Sequence, residues 1–222
     1  MIIRQKDSFI VDFWAGIFGF LKCISLFQLM RFLFPVLRNS SFVEVWVLGH
    51  LLASLVALIL VGHTGAGPLR YIILAYAFLR VFEIIVYQVN VLLFDEHRAK
   101  SKNIPYSVTS YRRLVLLLLH NYFEIIFWFA GAYLILAGQF SFDGAKRSLG
   151  EMIYTSFVIM ANFGSPGIKA RTVIGLYVLW AQSITGLFMT LLSLARFIGL
   201  LPTPRTMDEH ETDKGSACDG KN

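Results

Sequence analysis

Residues 151–168 read EMIYTSFVIMANFGSPGI. The apolar run that contains them, roughly residues 149–163, is cut off by Gly164-Ser165-Pro166-Gly167 and followed by a full-length apolar run over residues 172–201. A helix needs about 20 apolar residues to cross a bilayer, so the first run is a half-length helix and the second a span. Bare backbone at membrane depth is tolerated only where protein or a water-filled cavity covers it. A re-entrant loop at the axis of a symmetric oligomer meets that condition. Its carbonyls can replace the water shell of an ion, and the preceding helix would aim its negative C-terminal end at the axis, which favours a cation. An ordinary external loop between two structural helices is the other reading of the same pattern.

Composition places the whole chain in lipid. Of its 222 residues, 56% are hydrophobic and 15% charged, against roughly 25% charged in soluble domains, and the mean hydropathy is +0.64. The formal net charge is +6. Basic residues flank the apolar runs, where they fix topology and meet anionic headgroups, so nucleic-acid binding is not implied. Cys23 and Cys218 support neither a disulfide framework nor a metal quartet. No cleaved signal peptide is expected, because Asp12 and Lys22 interrupt the first apolar stretch.

Read outward from residue 151, the chain divides into four parts. Residues 1–41 hold an apolar segment interrupted by Asp12, Lys22, Gln28 and Arg31 and ended by Pro35. A central charge costs about 2.5–3.5 kcal/mol on insertion scales, so an amphipathic helix lying in the interface is expected. Residues 42–111 hold two spans, 42–62 and 69–94, joined by the breaker-rich turn 63–68 and followed by a basic loop over 95–113. Residues 112–201 hold a span at 114–137, the half-helix and the last span. Residues 202–222 are charged, lack aromatics and are expected to be disordered. Arg98, Lys100, Lys102, Arg112 and Arg113 in the basic loop, with Arg4, Lys6, Lys22, Arg31 and Arg38 before the first span, put both termini on the cytoplasmic side. The expected fold is therefore an all-α membrane protein with four transmembrane helices, a re-entrant pore helix and loop, and an N-terminal interfacial helix.

Several polar residues fall inside the spans. Arg80 and Glu83 are one turn apart and share a helix face, which suits a self-neutralised pair between helices or a gating pair; a lone arginine does not make a voltage sensor. Glu124 is expected to lock the bundle by meeting Arg80 or Arg196. His120 and Glu124, spaced i, i+4, read as a hydrogen-bonded pair tying helices together rather than the start of a metal site, and Glu44 and His50 read the same way. The echo of residues 82–85 in 123–126, both FEII, places a carboxylate in each of two spans. On the last span Gln182, Ser183, Thr185, Gly186, Met189 and Thr190 form a semi-polar stripe. It suits a water-lined wall or a small-residue helix seam equally. No catalytic constellation, cofactor motif or metal site is readable, so no enzyme activity is expected.

From about Arg112 to Leu201 the sequence resembles the potassium-channel-like pore-loop family, whose pore domain brackets a pore loop between two helices. Residues 122–128, YFEIIFW, are similar to its aromatic-rich outer helix, and Tyr154-Thr155-Ser156-Phe157-Val158-Ile159 to its pore helix. The resemblance puts the selectivity filter on Asn162, Phe163, Gly164, Ser165 and Pro166, with Gly167 one residue beyond, and the inner-helix hinge on Gly186. Inner-helix pore lining would fall to Gln182, Thr185, Gly186, Met189 and Thr190. Gly164 keeps its place, but Pro166 stands where the second filter glycine adopts a positive φ that proline cannot reach. The resemblance therefore implies a homotetrameric pore for monovalent cations with weak selectivity, not a potassium filter, and it needs no cofactor. Small channels of this type are similar to membrane-depolarising effectors of bacterial anti-phage systems, which implies the bacterial inner membrane, with room for a cytoplasmic regulator or ligand. The alternative is a non-conducting multispan scaffold that recruits a partner through its basic loop and tail.

Overall fold

The computed structural model describes residues 9–23, 40–64, 67–91, 111–143, 148–164 and 167–198. Its elements are α1 (Phe9–Cys23), α2 (Ser40–Thr64), α3 (Leu69–Val89), α4 (Tyr111–Ile135), a 3-10 turn (Ala137–Gln139), β1 (Phe140–Phe142), α5 (Leu149–Met160), β2 (Ile168–Ala170) and α6 (Val173–Ile198). Among the described residues four helices carry windows long and apolar enough to cross a membrane: Phe42–His63, Leu69–Val89, Val115–Ile135 and Val173–Ala195. The chain is a mostly helical, multi-pass membrane protein. Most of the 95–113 loop, residues 24–39 of the N-terminal part and the 202–222 tail lie outside the described residues.

α4 is the centre of the bundle. Its apolar window is 56% buried inside the chain, against 22% for α2, whose remaining surface is free for lipid. Ile125, Ile126, Trp128, Phe129, Ala130 and Tyr133 of α4 pack against Leu58 of α2, Ala77, Val81 and Ile84 of α3, Met152 and Ile159 of α5 and Met189 of α6 in one continuous core. α2 lies chiefly along α4 and touches α3 only lightly. The two spans expected to form a hairpin of their own thus share a core with the helices that follow them.

One end of the bundle is tied by a small sheet that hydropathy gave no hint of. β1 and β2 pair antiparallel, with Phe140 opposite Ala170, Ser141 opposite Lys169 and Phe142 opposite Ile168. The Asp143 N–H extends the ladder by donating to the Gly167 carbonyl at 2.7 Å. Thr172 caps α6, its Oγ1 accepting from the Gly175 N–H at 3.2 Å and donating to Gln139 Oε1 at 2.5 Å. Phe140 and Ile168 turn inward from the strands and are buried.

α5 starts near this sheet and stops partway along its neighbours. Ser148 and Glu151 form a reciprocal capping box that satisfies the first N–H groups of the helix. Leu149 packs against Gly62 near the end of α2, where any side chain would clash with it. Further along, Ser156 Oγ donates to the Ile126 carbonyl of α4 at 2.8 Å. At the far end the Met160 carbonyl rests on Gly186 of α6, so closely that a methyl group there would collide with it. Gly175 sits against Gln139 at the sheet, and Gly175 to Gly186 is about 16 Å of helix. α5 therefore ends about that far from the sheet end, and the chain returns to β2 by Ile168.

The end of α5 is set by Asn162. The Asn162 N–H donates to the Ile159 carbonyl and the Phe163 N–H to Val158, both at 3.0 Å, with Asn162 at φ 59°. That is a Schellman termination, in which a residue in the left-handed region closes the last turn and satisfies its orphan carbonyls; asparagine is the usual substitute for glycine there.

At the opposite end of the bundle α1 packs on α3. Asn90 Nδ2 donates to the Phe18 carbonyl at 3.0 Å, and Ala15, Phe18, Ile85 and Phe188 pack around the buried Val89 and Leu192. Phe9, Phe13, Trp14 and Phe20 stay exposed, which gives the helix a bare aromatic surface.

The Gly186 contact yields a stability test. Gly186→Ala should lower the melting temperature in detergent through about 1–3 kcal/mol of overpacking, whereas Gly49→Ala, at a position with nothing within 4 Å, should leave it unchanged or raised. Equal effects of the two substitutions would mean that α5 does not press on α6 at this point.

Candidate pore loop and its buried supports

The loop that closes α5 carries the residues the sequence assigns to a filter. Asn162, Phe163 and Gly164 are exposed in the single chain, Phe163 at 80%. Gly164 has φ 114° and Gly167 φ 64°, values at which an L side chain would be strained. Ser165 and Pro166 lie outside the described residues. Gly167 is also exposed and joins the sheet through its carbonyl. With its amide oriented to satisfy both neighbours, Asn162 donates to the Ser183 carbonyl at 3.3 Å and accepts from the Leu187 N–H at 3.1 Å. The first residue of the expected filter is thus both the cap of α5 and a strut onto α6, beside Gly186.

The inner-helix stripe faces the chain's own interior for most of its length. Gln182 is fully buried and joins three helices. Its Oε1 accepts from the Tyr133 hydroxyl of α4, and its Nε2 donates to the Ser156 carbonyl at 2.9 Å and to Ser156 Oγ at 2.7 Å. Ser156 Oγ in turn donates to Ile126, so each of these polar side chains has its partner. Thr185 is buried and returns its hydroxyl to the Ala181 carbonyl at 2.7 Å. Met189 is buried in the core and Gly186 holds Met160. Thr190 is the exposed one of the five expected lining residues. Of the two readings open for this stripe, a seam of small and hydroxyl residues is what the contacts display at Gln182, Thr185, Gly186 and Met189. Apart from Thr190, the surface that α6 leaves exposed is apolar: Tyr177, Trp180, Ile184, Leu187 and Leu191 among others.

A second buried network joins α3 to α4 and α2. Arg80 Nε and Nη2 donate to the two oxygens of Glu124, at 2.7 and 3.2 Å, and Nη1 donates to Glu83 at 2.7 Å. Trp128 Nε1 also donates to Glu124, at 3.2 Å. All three charged side chains are at most 5% exposed. Glu124 thus meets Arg80, one of the two partners foreseen; the side chain of the other, Arg196, is not among those described. His50 links Tyr76, through Nε2 at 2.9 Å, to the Trp46 carbonyl, through Nδ1 at 2.8 Å. A small cleft lined by Arg80, Glu83 and Asn121, about 20 Å³, has room for one water. The buried Asn121 carbonyl oxygen has no partner among the described residues, which is the kind of group such a water satisfies.

Other expected pairings fall differently. His120 does not bond Glu124; its Nδ1 meets the Leu116 carbonyl at 2.6 Å. Glu44 pairs with Arg113 across α2 and α4 at 2.7 Å, a link that the sequence, reading Glu44 together with His50, did not reveal. Lys169 lies 3.3 Å from Asp143 across the sheet. No cluster of three or more metal-ligating side chains occurs among the described residues. No family model, no curated protein and no solved structure matches this chain.

Removing one partner of a buried ion pair costs about 3–5 kcal/mol, because it strands the other charge. Arg80→Gln should therefore lower the yield and melting temperature of purified protein sharply, and Arg80→Gln combined with Glu83→Gln and Glu124→Gln should recover much of the loss. A combined variant as damaged as the single one would show that the three charges do not act as a unit.

Proposed function

We propose that the chain is one subunit of a homotetrameric cation channel with weak selectivity, in which residues 161–167 from four copies surround a shared axis. One observation carries the reading: α5 ends opposite the middle of α6, leaving the exposed, non-helical residues Asn162–Gly164 about half a bilayer from the sheet end. Lipid cannot hydrogen-bond the carbonyls of that stretch, whereas a water-filled path between neighbouring copies can. On this reading α5 is a re-entrant pore helix, the sheet sits at the outer face, and both termini are cytoplasmic in a bacterial inner membrane. The Pro166 position removes the geometry of a potassium filter, hence weak selectivity for monovalent cations. With Gln182, Thr185, Gly186 and Met189 engaged inside the subunit, the path below the loop takes its walls from the apolar face of α6. Such a constriction gates by dewetting.

α1 is placed to act on that gate, since its Ala15 and Phe18 share a small apolar cluster with Leu192 and Phe188 of α6. A cytoplasmic regulator or ligand acting through α1 would switch the channel, and the physiological consequence would be depolarisation, as in an anti-phage effector. The completeness of the hydrogen-bonded α4–α5–α6 interior within one chain also suits the second reading, a non-conducting scaffold.

Purified protein should form fourfold-symmetric particles and conduct monovalent cations in planar bilayers. Intact tetramers that pass no current under any voltage or ligand would overturn the channel reading, and a monomer with a water-exposed loop would favour the scaffold. Deleting residues 1–35 should raise leak current and toxicity on expression; unchanged closed-state behaviour would remove α1 from gating.

A further inference from the structure

α2 and α4 leave between them a groove of about 420 Å³, lined by Glu44, Val47, Leu48, Arg113, Leu116 and His120 together with Leu117. Its walls are apolar, and Leu48 and Leu116 are half exposed, so the groove opens sideways where the two apolar windows begin, at Phe42 and Val115. Glu44 and Arg113 stand at its mouth, 2.7 Å apart, with side chains 53% and 32% exposed. Acyl-chain depth below and a carboxylate–guanidinium pair at interface level above are the two halves of a phospholipid site.

We infer that this groove binds a phospholipid whose headgroup carries both a phosphate and a primary ammonium, an ethanolamine lipid. Its phosphate lies against the Arg113 guanidinium, which offers several donors to phosphate oxygens, and its ammonium donates to Glu44. One acyl chain lies along Val47, Leu48 and Leu116. The pairing of charges selects the headgroup. An anionic glycerol lipid would satisfy Arg113 but bring no cation to Glu44. A choline lipid brings a cation that has no N–H to donate, so it forgoes the charge-assisted hydrogen bond. The inference requires only that the helices span a membrane and is independent of conduction.

Native mass spectrometry tests it on the full chain, delipidated and re-equilibrated with an equimolar mixture of ethanolamine, choline and glycerol phospholipids of matched acyl chains. The ethanolamine lipid should be retained about tenfold over each of the others, as one charge-assisted hydrogen bond allows. Glu44→Gln should bring ethanolamine and choline lipids level, and Leu48→Trp, which fills the groove, should abolish retention of all three. Melting curves identify a variant that has failed to fold, and if Leu48→Trp does so, Glu44→Gln decides alone. Equal retention of the three lipids by the unsubstituted protein, no retention at all, or an ethanolamine preference that survives Glu44→Gln would overturn the proposal.

Discussion

The contact between the Met160 carbonyl and Gly186 sets the height at which α5 stops, and much else follows from that height. A larger residue at 186 would hold the two backbones apart. Without that approach Asn162 could not reach the Ser183 carbonyl and the Leu187 N–H, and Gln182 could not meet Ser156. In lipid, where apolar association supplies little driving force between helices, close backbone packing and interhelical hydrogen bonds supply it instead. The α5–α6 junction uses both within little more than one turn of α6, and Tyr133 extends the junction to α4. The sheet then fixes the other end of the same unit, so the loop between Met160 and Ile168 is held at both ends.

The charged network solves a different problem. Burying Arg80, Glu83 and Glu124 is costly, and the cost is offset only where each group finds partners of good geometry. Glu124 receives Arg80 through two nitrogens and Trp128 as a third donor, which uses most of the acceptor capacity of a carboxylate. A purely apolar α3–α4 seam could be as stable. What the network adds is register: the guanidinium fork meets the carboxylate at one relative position of the two helices, and His50 with Tyr76 fixes α2 against α3 in a comparable way. An apolar seam leaves sliding by a turn far less penalised.

Much of this architecture was legible because hydropathy reports burial in lipid directly. The four spans fall within a few residues of their expected limits, and the brevity of α5 was visible in its interruption at Gly164. The sheet was not, because three-residue strands at 140–142 and 168–170 have no periodicity to read and form only when the ends of α4 and α6 bring them together. Asn162 was assigned by its position in a filter pattern, while its local role, a left-handed helix cap, follows from the conformational tolerance of asparagine and is a signal the sequence did carry. Glu44 and Arg113 lie far apart in the chain, and no sequence spacing links them. Arg80 and Glu124 were foreseen because isolated charges inside spans must find each other.

The stripe on α6 shows where composition leaves two readings open. Glutamine, threonine and glycine on an otherwise greasy helix suit water and helix seams alike, since both need small or hydrogen-bonding groups. Burial separates the two: Gln182 and Met189 are wholly enclosed by the subunit, so they are available to an aqueous path only if α5 leaves α6. For a channel this divides the labour. In the proposed channel polar side chains would hold the loop in place from behind and leave the loop itself to face the axis. The apolar face of α6 at Ile184, Leu187 and Leu191 is then the surface that copies, lipid or a dry constriction must cover. A pore assembled in this way stays closed to ions by default, because water does not stably fill a narrow apolar passage, and opening it requires the inner helices to separate rather than a polar lining to be exposed.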